Sequence, residues 1–389
     1  MLSNVSSLGA LTVFLSVVSA FPRPIESQPE KRSFRVERVA NKNFVRHDGT
    51  AQLVKAYRKW AIPLPAGLDE ELVSTKATTK AAANAGIKAT NGSVTGKVTA
   101  TPEDGDVEYL SPVSIGGQTL NLDFDSGSSD LWVFDTQLSA ASQKGHTVYN
   151  PAKSTTFKAM TGATFSISYG DGSGAAGNVG TDTVNIGGAT VTSQAIELAT
   201  AVSASFVADT QSNGLVGLAF SKLNTVKPTK QKTFFDNLLP SLAEPVFTAD
   251  LRAAAVGAYE FGKIDATKFT GALQYAPINT TQGFWQFSSQ KFQVGTGKVM
   301  TVAGGQAIAD TGTTLMLVSP AIVNAYYSQV TGAVNSAQVG GVVYPCTSVL
   351  PDLSVDVGGG YMAVVAGKFI NFTTVDAAGT SKDPPPLPL

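Results

Sequence analysis

Leu122-Asp123-Phe124-Asp125-Ser126-Gly127-Ser128 recurs, in altered letters, as Ala307-Ile308-Ala309-Asp310-Thr311-Gly312-Thr313. Both stretches read apolar, Asp, hydroxyl, Gly, hydroxyl. Each precedes an apolar run, Leu131-Trp132-Val133-Phe134 in one half and Leu315-Met316-Leu317-Val318 in the other. An Asp-[Ser/Thr]-Gly triplet arises by chance on the order of 0.2 times in a chain of this length at ordinary residue usage. One copy alone reads as an Asx-turn at a strand end. Two copies in matching contexts read as a doubled unit, with the two loops related by a pseudo-two-fold axis.

The chemistry follows from the residue types. A strand ending in Asp-hydroxyl-Gly-hydroxyl presents its carboxylate at a loop tip, and Gly lets another backbone come close. Two carboxylates roughly 3 Å apart cannot both ionise easily, so such a pair shares one proton across acid pH. One carboxylate then deprotonates a water while the other protonates a carbonyl, which hydrolyses an amide without a metal. Asp123, two residues before Asp125, is expected on the opposite strand face.

Working outward, the body is mostly strand. Residues 107–115 and 118–124 flank Gly116-Gly117, a strong hairpin signal. Residues 164–169 and 177–184 flank Gly170-Asp171-Gly172-Ser173, and residues 184–186 and 190–193 bracket Gly187-Gly188. Helical patterning is brief, at 234–242 and 320–330. Many short strands with close turns predict an all-β architecture.

Composition removes other chemistries. The 389 residues are 43% hydrophobic and only 15% charged, with a net charge of -1, which leaves no basic footprint for nucleic acid. Two histidines, His47 and His146, and one cysteine, Cys346, cannot build a zinc cluster or suggest a serine or cysteine triad. No metal and no cofactor is expected. The length fits two domains.

The N-terminal portion reads differently from the body. Residues 8–20 (LGALTVFLSVVSA) are too short to span a membrane and end in small residues, as in a signal peptide. Residues 21–88 carry 13 Lys+Arg and 7 Asp+Glu, a net of +6, and residues 89–389 carry 15 and 22, a net of -7. A basic leader before an acidic body predicts an electrostatically docked prosegment. Residues 53–60 (LVKAYRKW) place Leu53, Tyr57 and Trp60 at helical spacing with basic residues between. Residues 74–101, rich in Ala, Thr, Lys and Gly, read as a cleavable linker. With secretion, Asn91, Asn279 and Asn371 stand in glycosylation triplets, and an unpaired Cys346 is unexpected.

The chain resembles the pepsin-like aspartic endopeptidases, particularly the secreted fungal ones of the penicillopepsin and aspergillopepsin type, from about Glu108 to Thr380. The resemblance is carried by residues 124–134 (FDSGSSDLWVF), 166–173 (SISYGDGS), 214–220 (GLVGLAF) and 308–314 (IADTGTT). It implies an all-β, bilobal double β-barrel with pseudo-two-fold symmetry, acting as a monomer on proteins and peptides outside the cell. Asp125 and Asp310 are implied as the catalytic dyad. Ser128 and Thr313 are implied to bond the outer carboxylate oxygens, and Ser126 and Thr311 to lock the loops together, with Gly127 and Gly312 giving room. Tyr169 resembles the tyrosine of a substrate-covering flap, supported by Trp132. Gly170 and Asp171 are implied to bind substrate, with Asp171 accepting a basic residue at P1, and Phe206 and Leu215 to line an apolar pocket. Lys59 resembles the prosegment lysine that pairs with the dyad, with Lys55 the competing position.

The expected organisation is a signal peptide over 1–20 and a propeptide over 21–92, cut near 88–93. A first lobe follows over 93–267 and a second over 268–380. Family members carry a partner cysteine where Ser381 stands, so residues 381–389 read as an aberrant Pro-rich tail and the second lobe as incomplete. The ending is a faulty gene reading or a genuine shortened product. The leading function is a secreted acid endopeptidase cutting between large apolar residues. The competing one is a non-catalytic remnant that binds peptide, and a two-carboxylate carbohydrate enzyme stands behind both.

Overall fold

A computed structural model describes residues 34–37, 53, 54, 56, 57, 59, 97–98, 101–102 and 108–382, less 170, 171, 254, 256, 337–339, 373 and 376–380. The expected signal peptide, the cleavage region at 88–93, Asn91, Gly170, Asp171 and Lys55 lie outside the described residues.

The strands of the first half are β1 (Phe34–Glu37), β2 (Lys97–Val98), β3 (Thr101–Pro102), β4 (Tyr109–Ile115), β5 (Gln118–Asp125), β6 (Leu131–Phe134), β7 (Lys158–Ser168), β8 (Gly174–Ile186), β9 (Ala189–Val202), β10 (Gly214–Gly217), β11 (Phe247–Asp250) and β12 (Ala258–Phe261). The three hairpins expected from the glycine pairs are β4–β5, β7–β8 and β8–β9. Gly116 and Gly117 have φ of 54° and 79°, a backbone that glycine adopts without a Cβ clash.

The main sheet runs β3-β4-β5-β10-β6-β9-β8-β7. Ser114 and Ile115 of β4 also pair with Asn185 and Val184 of β8, which closes β4, β5, β10, β6, β9 and β8 into a ring. Period-two alternation sends Leu120, Leu122 and Phe124 of β5 into the interior, each at most 1% exposed. They meet Val113, Ile115, Val184, Ile196 and Val216 in one core. A second cluster, around Trp132, Phe134, Phe165 and Leu215, lies on the other side of β6 and β10.

Leader strand β1 joins this half. It pairs antiparallel with β12 and parallel with β2, in the order β11-β12-β1-β2. The helical residues at 53–59 bury Val54 and Ala56, whereas Leu53 and Tyr57 of the expected apolar face are half-buried.

The second half is built from smaller pieces. Its strands are β13 (Ile278–Asn279), β14 (Gln286–Ser288), β15 (Lys291–Val294), β16 (Met300–Thr301), β17 (Gln306–Ile308), β18 (Val334–Ser336), β19 (Gly341–Val343), β20 (Leu353–Asp356), β21 (Met362–Val365), β22 (Thr374–Val375) and β23 (Ser381–Lys382). Among the described residues they form sheets of three, four, two and two strands. Their core centres on Phe292, Val294, Tyr326, Val330 and Leu353. The helix Pro320–Tyr327 starts with Pro in its first turn, where a missing N–H costs nothing. Trp285 ties the halves together: its Nε1 donates to Leu218 O at 2.9 Å and its ring packs on Phe220 and Phe247.

Candidate active site

Strand β5 ends on Asp125, and the chain turns through Ser126 to Ser129 before entering β6. β10 fixes that turn from below. Leu218 N donates to Asp125 O and Ala219 N to Ser128 O, both at 2.8 Å. In the other half β17 leads through Ala309, whose N–H donates to Trp285 O at 3.1 Å, into Asp310. The two loops carry the same local bond: Gly127 N donates to Asp125 Oδ1 at 2.8 Å, and Gly312 N to Asp310 Oδ1 at 3.1 Å.

Their hydroxyls cross from one loop to the other. Ser126 Oγ donates to Ala309 O at 2.8 Å and accepts from Thr311 N at 2.9 Å. Thr311 Oγ1 donates to Phe124 O at 2.5 Å and accepts from Ser126 N at 3.0 Å. The glycines permit the approach. A Cβ on Gly127 would stand 2.5 Å from Asp310 Oδ1, and one on Gly312 would collide with Asp125 Oδ1. Thr313 Oγ1 donates to Asp310 Oδ2. Its counterpart differs: Ser128 Oγ and Asp125 Oδ2 are both buried without a hydrogen bond of good geometry.

Lys59 completes the centre. Its Nζ is 3.3 Å from Asp125 Oδ1 and 2.9 Å from Asp310 Oδ2, and its side chain is 10% exposed. Burial pushes the Lys59 ammonium toward neutrality, but the two carboxylates outweigh it and hold the group charged, above its ordinary range. Burial likewise pushes Asp125 up. The Lys59 charge and hydrogen bonds around its carboxyl outweigh that, so Asp125 lies below the usual carboxylate range. Burial and the neighbouring Asp125 charge push Asp310 up to about 6, against the pull of Lys59. The pair is thus split, one carboxyl ionising readily and the other holding its proton.

Around the dyad, Trp132 Nε1 donates to Tyr169 OH at 2.9 Å. Phe206 stands edge-on to both rings, with centroids 4.9 Å from Trp132 and 5.7 Å from Tyr169. Leu215 lines the same cavity as Asp125, Tyr169 and Phe206. With Lys59 in place only ≈ 30 Å³ remains open there.

Asp123 corrects an expectation. It lines this cavity beside Asp125 instead of facing away. Residues two apart share a strand face, so the alternation that buries Leu122 and Phe124 puts both aspartates on the cleft side. A further set of residues escaped the sequence reading. Behind the turn, Asn224 Nδ2 faces Ser129 O at 3.2 Å, Asp130 Oδ1 at 3.2 Å and Glu197 Oε1 at 3.0 Å. Burial raises the pKa of both Asp130 and Glu197. The available signal was an aspartate directly before the apolar run 131–134.

Comparison with known proteins agrees with this geometry. The family model described as eukaryotic aspartyl protease matches residues 108–380. An aspergillopepsin A-like aspartic endopeptidase of Aspergillus fumigatus is 50% identical over 363 residues, spanning 92% of this chain and 84% of its own. Endothiapepsin of Cryphonectria parasitica is 46% identical over 367 residues, 92% of this chain and 83% of its own. Penicillopepsin-1 of Penicillium rubens is 45% identical over 376 residues, 96% and 87%. Among solved structures, the aspartic proteinase from Irpex lacteus superposes with a TM-score of 0.56 at 25% identity, covering 67% of this chain and 76% of that one. A doubled Asp-hydroxyl-Gly loop on an all-β bilobal frame, together with these matches, makes the chain a member of the eukaryotic aspartyl protease family, among the fungal pepsin-like endopeptidases.

Proposed function

We propose that the chain is the leader-masked precursor of a secreted acid endopeptidase, with Asp125 and Asp310 as its catalytic pair. The observation that carries this reading is Lys59 Nζ held between both carboxylates in a nearly filled cavity. An ammonium there occupies the place a water must take, and β1 and the helix at 53–59 anchor it to the body. Once Lys59 leaves, Asp125 is the base that takes a proton from water and Asp310 is the acid that protonates the scissile carbonyl. Ser126, Thr311 and Thr313 keep the carboxyls in place, while Gly127 and Gly312 allow their approach. Ser128 completes that set.

Tyr169 belongs to the substrate-covering hairpin β7–β8, with Trp132 behind it. Phe206 and Leu215 hold an apolar side chain beside the cut bond, and Gly170 and Asp171, which follow Tyr169 in sequence, bind substrate, Asp171 admitting Lys at P1. The apolar N-terminal stretch is a removed signal, and Asn279 and Asn371, both exposed, are glycan acceptors.

The pH dependence has a defined sign. Asp310, raised to about 6, loses its charge opposite Lys59 as pH falls through that value, whereas the depressed Asp125 keeps its charge until pH falls below the ordinary carboxylate range, so acidification weakens the hold on Lys59 while leaving Asp125 ionised. The full chain, purified near neutral pH and shifted to about pH 3–4, is expected to cut itself, with new N-termini near residues 88–93. The Asp125→Asn chain is expected to stay whole. Cleavage at equal rate near neutrality, or in the Asp125→Asn chain, would refute the reading.

A further inference from the structure

A second pair of carboxyls, which the reaction does not use, lies behind the Asp125 turn. Asp130 closes that turn and Glu197 stands on β9, and they are 0% and 1% exposed. The two side chains are within hydrogen-bond reach of each other. Their donors are unequal. Asp130 Oδ1 accepts from Thr225 Oγ1 at 2.8 Å and Thr225 N at 2.9 Å, and faces Asn224 Nδ2 at 3.2 Å. Glu197 Oε1 has Asn224 Nδ2 alone, at 3.0 Å. Asp130 Oδ2 and Glu197 Oε2 are buried and find no donor among the described residues.

An ionised carboxylate only accepts, so two of them cannot bond each other, whereas a protonated carboxyl has one O–H to give. A single proton between the two carboxyls satisfies both orphaned oxygens. The several donors at Asp130 favour its anion, and the lone donor at Glu197 leaves that carboxyl as the acid. Burial first, then the charge of Asp130, hold the Glu197 carboxyl well above the usual range.

Backbone and hydroxyl bonds already fasten this region. Gly217 N donates to Asp130 O at 2.8 Å, Ser129 Oγ to Phe220 O at 2.7 Å, and Trp132 of β6 pairs with Glu197 itself. What the proton adds is neutrality. Without it two anions face each other out of reach of water, with Asn224 between them, in the layer that supports the catalytic turn. They are relieved by moving the turn out toward water, and Asp125 stands at its other end.

We propose that Glu197 keeps a proton and donates it to Asp130, and that this shared proton positions the Asp125 turn, so that the turn holds its geometry at acid pH and gives way once the pair is doubly ionised. The functional half rests on the endopeptidase reading above. A carboxyl that folding raises holds its proton where the unfolded chain has released it, so stability falls as pH rises above the ordinary glutamate value of about 4.3. The surrounding elements carry few other charges. β6 and β10 have no titratable residue, Glu197 is the sole one on β9, and Asp182 of β8 is bonded to Tyr149 and Thr156. Lys227 and Lys230 are exposed on the loop that carries Asn224 and Thr225, and Lys230 pulls Asp130 toward its anion. Tyr169 is kept neutral by burial first, then by the charge of Asp125.

The proton is tested first, in a full chain carrying Asp310→Asn to prevent self-cleavage. The infrared band of a buried carboxylic acid is expected to persist at about pH 6, where ordinary aspartate and glutamate are ionised, and to be missing when Glu197→Gln is added. With Asp130→Asn instead, the neighbouring charge is gone and an amide donor faces Glu197, so the band should vanish at lower pH. No band at that pH, or a band that Glu197→Gln leaves in place, overturns the proposal. If Glu197→Gln does not fold, the Asp130→Asn spectrum decides, and an unmoved band overturns it.

The positioning role is tested on the chain with both dyad residues intact, after self-cleavage at about pH 3–4. It is held at rising pH and returned to acid for assay, so that titration of the dyad reverses and only lasting loss is scored. The midpoint of that loss is expected where the carboxyl band disappears. Glu197→Gln, whose amide donates to Asp130 at any pH, should move it up by about one pH unit or more. An unmoved midpoint overturns the role. If the unsubstituted chain hydrolyses no peptide, the endopeptidase reading has failed, and the carboxyl band alone decides the shared proton.

Discussion

Asp125 ends a strand of a closed six-strand ring, and every residue from Leu122 to Phe134 is buried. Asp310 instead follows a three-residue strand in a three-stranded sheet, and residues 310–314 are only half-buried. Yet both loops make the same Gly N–H to Asp Oδ1 bond and face each other through mirrored hydroxyls. The local motif therefore keeps its geometry in two unequal surroundings. The second loop takes much of its support from the first half, through Phe124 O, Ser126 Oγ and the Trp285 bond to Leu218.

The largest test of this comparison is chemical. If both halves supply one carboxyl each to the reaction, Asp125→Asn and Asp310→Asn lower hydrolysis of a denatured protein substrate equally, by about 10²–10⁴-fold each. Substantial activity in either variant would break the equivalence.

Core deletions sharpen the structural inequality. Phe124 is fully buried in the ring's core and Phe292 is 3% exposed in the smaller core. Phe124→Ala is expected to cost about 3–5 kcal/mol, as for a rigid core. Phe292→Ala should cost about 2 kcal/mol, near the bare burial value, because partly exposed neighbours can collapse. Thermal or denaturant unfolding of the two variants decides it, and equal losses would mean that the second core is as rigid as the first.

A smaller effect tests the shared support. Ser126→Ala and Thr311→Val each remove one hydroxyl from the crossing bonds and should cost about 1–3 kcal/mol, because buried partners are left unsatisfied. The double variant should cost less than the sum, since the pair acts as one unit. Strict additivity in unfolding free energy would show that the loops are held independently.

The smallest effect separates Thr313 from Ser128. The Thr313 hydroxyl pulls Asp310 down against burial, so Thr313→Val should raise that carboxyl further and move the alkaline limb of the pH–rate profile to higher pH. Ser128 pulls Asp125 down, so Ser128→Ala should move the acid limb upward instead. Because Ser128 Oγ lacks a well-formed bond, its shift should be the lesser one.

Much of this was legible in residue order. The doubled Asp-hydroxyl-Gly stretch marked Asp125 and Asp310, the crossing hydroxyls and the glycines at close approach. Alternation and glycine pairs marked the hairpins β4–β5, β7–β8 and β8–β9. Asp123 was readable too, because period two already puts it on the face of Asp125. These features depend on short-range geometry, side-chain direction along a strand and turn chemistry, which neighbouring residues decide by themselves.

What remained open depends on contacts between residues far apart in the chain. No local pattern closes β4 onto β8 or seats Asn224 between Asp130 and Glu197. Residue order supplied Asp125, Asp310 and a basic leader helix with more than one lysine on it. Only the packed chain decided that Lys59 stands between the two carboxyls, because a buried ammonium is held where opposite charges surround it, and those charges come from two loops that meet only in the fold.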